Sequence, residues 1–133
     1  MESRIKDLSK YRFDKAESNL LLAVSLEKDG QYAAALNRAY YAAFDAMRAV
    51  NALDSFDSSK HSGVIAYFNQ HFVKTGFFSA DTSAVIRRSS LLREKSDYED
   101  FFEPEQDETE ECIRQIRTFL SDTRVFLTEK HIL

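Results

Sequence analysis

The sequence predicts an all-α fold, an antiparallel bundle of about five helices that forms one domain over residues 1–133. Three observations predict it. Only 3 glycines and 1 proline occur in 133 residues, about 3% against roughly 12% in average usage. All-β sandwiches and barrels need turn residues about every 8–12 positions, and this chain has too few. Apolar residues recur with a helical period in long stretches, and residues that start or stop helices stand at the ends of those stretches. A chain of this length buries roughly two-thirds of its unfolded surface, enough for a core without metal or disulfide.

The first helix is expected from about Asp7 to Lys28, with Gly30 behind it as a left-handed stop. The second runs from about Gln31 to Ala52. At 100° per residue, Tyr32, Leu36, Ala39, Tyr40, Ala43, Phe44, Met47 and Val50 share one face, and Asn37, Arg38, Tyr41, Asp45 and Arg48 fall on the other. Nine alanines between Gln31 and Ala52 keep this helix thin, which suits the centre of a bundle. After the polar break Asp54 to Ser59, Ser58 or Ser59 can cap a short third helix that ends before Gly76. Asp81 is positioned to cap a fourth helix, Thr82 to about Tyr98. Pro104 suits the first turn of a fifth, whose acids Glu105 to Glu111 sit at its positive end. Cys112, Ile113, Ile116, Phe119, Leu120, Thr123, Phe126 and Leu127 make its apolar stripe.

The longest uninterrupted aliphatic run is Leu20 to Val24, far short of the ~20 residues of a membrane span. Met1 to Lys10 is polar and carries both charge signs, unlike a secretory signal. The single Cys112 fits a reducing compartment. A cytoplasmic protein with no membrane association is the expectation. The net charge of −4 hides an asymmetry: Asp97 to Glu111 holds nine acids and no base, while Lys60 to Lys95 holds six bases and two acids. Either the runs are solvated helix faces with an acidic helix start, or a mildly basic surface exists despite the acidic balance.

Gly30, Gly63 and Gly76 are isolated, so no Gly-rich phosphate loop exists. Cys112, His61, His71 and His131 lack zinc-ligand spacing, and neither metal nor cofactor is expected. Cys112 reads as a buried structural thiol on an apolar helix face. The fourth helix carries more chemistry. Around Arg93, a helical wheel gathers Ser89, Ser90, Ser96, Asp97 and Ile86, which would leave a shallow polar recess in which a forked guanidinium holds a phosphate. The competing reading is an Arg93–Asp97 ion pair on a solvated or subunit-facing surface. Lys60 and His61 stand at the start of the third helix, where they either contact an anion or are simply exposed first-turn residues.

Gly30-Gln31-Tyr32 with the block Asn37-Arg38-Ala39-Tyr40-Tyr41-Ala42-Ala43-Phe44 resembles the second-helix signature of the HEPN domain family, in its small stand-alone prokaryotic branch. Lys60-His61-Ser62-Gly63-Val64-Ile65, Phe72-Val73-Lys74-Thr75-Gly76, and Arg93 followed by Asp97-Tyr98 resemble the same branch in the same order. The resemblance implies an antiparallel helical bundle that dimerises. It also implies one of three roles: a metal-independent ribonuclease toxin, a nucleotide binder, or the partner of a separate minimal nucleotidyltransferase antitoxin. Nuclease members carry an arginine, then four to six intervening residues, then a histidine. Counting from Arg93, those positions hold Tyr98, Glu99 and Asp100 instead, and a tyrosine is a poor base near neutral pH. In some members a tyrosine just past that histidine receives adenylate, and Tyr98 lies close to that place. The literal match, Arg124 and His131, falls in the wrong helix for the family's order and reads as coincidence.

Three functions therefore compete. One is a dimeric module that binds a nucleotide or RNA phosphate at Arg93, Lys60, His61 and Asp97 and works with a nucleotidyltransferase in a toxin–antitoxin pair. The next is a ribonuclease in which Arg93 stabilises phosphorane charge while His61 replaces the missing histidine in proton transfer. The last is a purely structural dimer. The missing histidine places the binding module first.

Overall fold

The computed structural model describes residues 2–133 and arranges them as α1 (Ser3–Lys28), α2 (Tyr32–Asn51), α3 (His61–Phe68), α4 (Ala80–Tyr98) and α5 (Gln106–Glu129). A short 3-10 turn at Ala52–Asp54 closes α2, and a π-helical turn at Asn69–Val73 prolongs α3. No strand occurs among the described residues, and the all-α class of five helices is as the sequence predicts. No helix among them is long and apolar enough to cross a membrane.

The α1–α2 turn follows from Gly30. Its φ of +76° lets the Gly30 N–H reach the Glu27 carbonyl at 3.0 Å and the Gln31 N–H reach Leu26 at 2.9 Å. This pair of bonds satisfies carbonyls that the helix end would otherwise leave open. The chain then doubles back. Ser9 Oγ donates to the Ala49 carbonyl at 2.8 Å, Arg12 reaches Arg48, and Asn19 reaches Asp45, so α1 and α2 run antiparallel. Close approach is possible because the facing positions are small: Ala35, Ala39, Ala42, Ala43, Ala46 and Ala49 are fully buried, as are Ala16 and Ala23 of α1.

α2 is packed by all four other helices. The α5 stripe read from the sequence is buried at every position from Cys112 to Leu127. Its Phe119 and Phe126 meet Phe68, Phe72 and Phe78 at ring-centroid distances of 5.3–5.8 Å. Each such side chain contributes about 1.5–3 kcal/mol by leaving water. α3 is tied to α2 by Asn51, whose amide donates to the Val64 carbonyl at 3.1 Å.

Four local expectations are corrected. α1 begins at Ser3 and not near Asp7. Ser79, not Asp81, occupies the cap position of α4, and Asp81 lies in the first turn. Pro104 precedes α5, which starts after Glu105. Asp45, placed on the polar face of α2, is buried because α1 covers that side, and Asn19 donates to it at 3.0 Å. Burial raises its carboxyl above the ordinary value.

Candidate functional site

Tyr40 projects from the buried face of α2 toward the point where the first residue of α3 and the middle of α4 meet it. Its hydroxyl lies 2.9 Å from Nδ1 of His61. The His61 ring packs on Phe44 at 4.2 Å and meets Tyr41 edge-on at 5.7 Å. From α4, the Arg93 guanidinium lies over the Tyr40 ring at 4.7 Å and over Tyr41 at 5.9 Å. Gly63 permits this placement of the α3 start, because a Cβ there would fall 2.5 Å from Ser58 Oγ.

The polar network continues outward. Arg93 Nη1 reaches Asp97 Oδ2 at a long 3.4 Å, and the same oxygen accepts from Asn37 at 3.1 Å. Arg38 donates twice to the Asn37 carbonyl oxygen and once to Asn19, which in turn donates to Asp45. Arg93 thus heads a chain of polar groups along the side of α2 that also carries Tyr41.

The electrostatics follow from this packing. Burial pushes the Tyr40 hydroxyl up to about 12, with Arg93 opposing the rise, so the phenol keeps its proton at neutral pH. Burial lowers His61 below its ordinary value and the Arg93 charge lowers it further, so the imidazole is neutral. For Arg93, burial disfavours the charge, but Tyr41, Tyr40 and Asp97 outweigh it and hold the guanidinium charged. Arg93 Nε is buried without a hydrogen-bond partner among the described residues, as are the hydroxyls of Ser89 and Ser96.

The surroundings of Arg93 are more crowded than the α4 wheel alone suggests. Ser89 is buried, and Tyr40 and Tyr41 of α2 occupy the space over Arg93. The Arg93–Asp97 pair is present, with side chains 12% and 26% exposed. His61 is the first residue of α3, but its ring is packed on Phe44 and is not free in solvent. Lys60 occupies the cap position and is exposed. Tyr98, the residue after Asp97, is 76% exposed. The structure thus gathers Arg93, Asp97 and His61 and leaves Lys60 and Tyr98 at the margin. Arg124 pairs with Glu17 of α1, and His131 lies beyond the end of α5 at φ +62°, so neither joins this cluster. Cys112 is buried and its thiol is pushed up to about 11, the inert state expected.

Sequence reasoning missed Tyr40 as a polar participant. Its place on the apolar face was clear, but a buried phenol also needs a hydrogen-bond partner, which is the clue that points to a nearby acceptor. It also missed Phe44 and Arg48, which with Asp57, Ser58, Ser59 and His61 line an open cleft of about 500 Å³.

Chemically, the cluster offers a fixed cation, a neutral imidazole and a carboxylate on a weak tether. With the phenol proton donated to Nδ1, the imidazole carries its own proton on Nε2. Both ring nitrogens are then committed, and the group acts as a donor.

The family model of the HEPN domain matches residues 9–125. Two proteins of Methanocaldococcus jannaschii, each named "Putative toxin", are similar to this chain. One is 29% identical over all of this chain and 90% of its own length, and the other is 33% identical over 86% and 84%. A Thermotoga maritima protein named UPF0332 protein is 36% identical over 71% of this chain and 72% of its own.

Proposed function

The chain belongs to the HEPN domain family, and on that premise we propose that it is the toxin-side module of a toxin–antitoxin pair, a cytoplasmic homodimer that binds an RNA or nucleotide phosphate. The reading of binding over cleavage is supported by the 2.9 Å contact between the Tyr40 hydroxyl and His61 Nδ1: in the tautomer in which the phenol donates, the imidazole offers Nε2–H as a donor and no free base. Arg93 supplies the charge. Its 3.4 Å link to Asp97 is weak enough to exchange for a phosphate oxygen, whose forked pairing with a guanidinium is stronger. The names of the Methanocaldococcus relatives support the toxin side. A separate minimal nucleotidyltransferase is the partner in this reading, and the exposed Tyr98 hydroxyl is the group such an enzyme would reach.

The experiment is a binding titration with a labelled ribonucleotide, run beside an RNA-cleavage assay in EDTA. The parent is expected to bind in a salt-sensitive way without cleaving. Arg93→Ala should weaken binding more than tenfold, and Arg93→Lys should recover only part of it, because it keeps the charge but loses the fork. Sedimentation showing only monomer at tens of micromolar would refute the homodimer.

A second reading, the metal-independent ribonuclease, is favoured by one observation: Arg93 and His61 converge on the same tyrosine. EDTA-resistant cleavage lost in both Arg93→Ala and His61→Ala would establish it.

A further inference from the structure

α3 has eight residues, and a helix so short takes its position from what holds its ends. His61 is its first residue, so its own N–H has no partner inside the helix. The segment 55–60 that leads into α3 is fastened at two points. Phe56 stacks on Tyr67 of α3 at 3.9 Å and 11°, and the Tyr67 hydroxyl donates to Asp54 at 2.9 Å. Asp57 fastens the other side. Its Oδ2 accepts from Arg12 of α1 at 3.1 Å and from Arg48 of α2 at 3.0 Å, and its Oδ1 accepts from the Ser58 N–H at 2.8 Å. Ser58 Oγ then accepts from the N–H of Lys60, the cap residue of α3, at 3.2 Å. Ser58 also sits against the first turn of α3, since a Cβ on Gly63 would fall 2.5 Å from its Oγ. A path of hydrogen bonds therefore runs from two arginines of the α1–α2 pair to the residue before His61.

We propose that Asp57 is the positioning residue for His61: by anchoring segment 55–60 to Arg12 and Arg48, it sets where the imidazole meets Tyr40. That the imidazole then serves a ligand as a donor rests on the phosphate-binding reading given above. Asp57 suits this role because it answers two helices at once. Arg12 is only 9% exposed and also donates to the Arg48 carbonyl at 3.3 Å, so the anchor is built into the α1–α2 contact. The hydrogen bond from Arg48 leads the effects that hold the Asp57 carboxyl below its ordinary value, so the anchor is charged at neutral pH. Position and charge have opposite effects on the ring. The imidazole packs among Tyr40, Tyr41 and Phe44 of α2, shares its cleft with Arg48 and Asp57, and is lowered in pKa by burial first and by the Arg93 charge second. Loss of the Asp57 charge through space alone would disfavour the imidazolium and lower the pKa further. A ring that slips away from Phe44 and Tyr40 into water regains the ordinary value, and its pKa rises.

The test follows the His61 ring by NMR titration of the ligand-free protein, with His61→Gln separating its signals from those of His71 and His131. Asp57→Asn keeps an oxygen for the Ser58 N–H and loses the charge that holds both arginines. The His61 pKa should rise toward the ordinary histidine value. Ser58→Ala changes no charge, removes the acceptor of the Lys60 N–H, and should move the ring in the same direction; it decides the outcome if Asp57→Asn does not fold. Asp57→Glu restores the charge and should bring the titration part of the way back. Leu127→Ala opens a cavity on α5, a helix that makes none of the bonds to Asp57 or Ser58. It should lower Tm and leave the His61 titration as in the parent, which separates lost stability from lost position. Folded Asp57→Asn and Ser58→Ala proteins with the parent's His61 titration would overturn the inference. So would a lowered His61 pKa in Asp57→Asn, the sign of charge acting through space, or a rise of equal size in Leu127→Ala. Because these titrations contain no ligand, a parent that fails to bind the labelled ribonucleotide refutes the phosphate-binding reading and leaves the positioning result standing.

Discussion

Replacing Tyr40 with Phe removes one oxygen and leaves the ring, so it isolates the Tyr40–His61 hydrogen bond from everything else the residue does. The ring keeps its place under Arg93 at 4.7 Å and beside Phe44. What disappears is a 2.9 Å bond to His61 Nδ1 inside the bundle. A bond of this kind contributes about 1 kcal/mol net, which in a domain of this size corresponds to a Tm lower by roughly 3–5 °C. The second consequence is electrostatic. A donor to Nδ1 favours the neutral imidazole, so its loss should raise the His61 pKa toward the ordinary histidine value and release the ring from a single tautomer. Nitrogen-detected NMR of the imidazole reads both effects: the parent should show Nε2–H alone and the Tyr40→Phe protein a mixture that titrates at higher pH. Phosphate affinity should fall as well, since the donor at Nε2 is no longer held in place. An Nδ1–H imidazole in the parent, or a Tyr40→Phe protein with unchanged Tm and unchanged His61 titration, would refute the reasoning.

Three further outcomes are expected. Because the folded-state pKa of His61 is lowered from 6.5, the unfolded chain binds more protons in that range; stability should be fully present above pH 6.5 and decline as the pH falls below it, and thermal melts of His61→Gln should show a shallower decline. Cys112, with its thiol at about 11, should stay unreactive toward a thiol reagent at pH 8 until denaturant is added, and prompt labelling of the folded protein would contradict its burial. Phe101 is fully exposed at φ +66°, a conformation that costs an L-residue about 1–2 kcal/mol; Phe101→Gly should therefore raise Tm by a few degrees, and a lower Tm would show that the ring does something for the fold.

The helices were legible because their cause is local. The α5 stripe from Cys112 to Leu127 and the alanine face of α2 are periodic in one stretch of chain, and a wheel drawn on that stretch identifies the buried side. The site was legible only in part. Arg93 and Asp97 are one turn apart on one helix, so their pairing could be read directly, whereas the pocket around Arg93 depends on what another helix places there. Ser89 and Ser96 looked like the walls of an open recess, but Ser89 is buried and the rings of Tyr40 and Tyr41 lie against Arg93. His61 looked exposed because a first-turn residue usually is, and only the packing of α3 on α2 brings its ring onto Phe44. Asp45 was misjudged for the same reason, since nothing in α2 itself announces Asn19 of α1. The π-helical turn at Asn69–Val73 leaves no mark in the hydrophobic period that would separate it from an α-helix.

The connection between α1 and α2 has a consequence for when the site exists. Those two helices are joined by a turn of three residues and zipped by small side chains, so their pairing joins segments close in sequence. Tyr40 belongs to that hairpin, but its hydroxyl partner stands 21 residues away and its cation arrives on a different helix again. Any fluctuation that lifts α3 or α4 from α2 dismantles the proposed phosphate site while leaving the hairpin paired. In native-state hydrogen exchange the amides of α2 should outlast those around Arg93. A fragment or a half-assembled chain would hold the aromatic platform without the charge, so ligand binding reports that the last helices have docked.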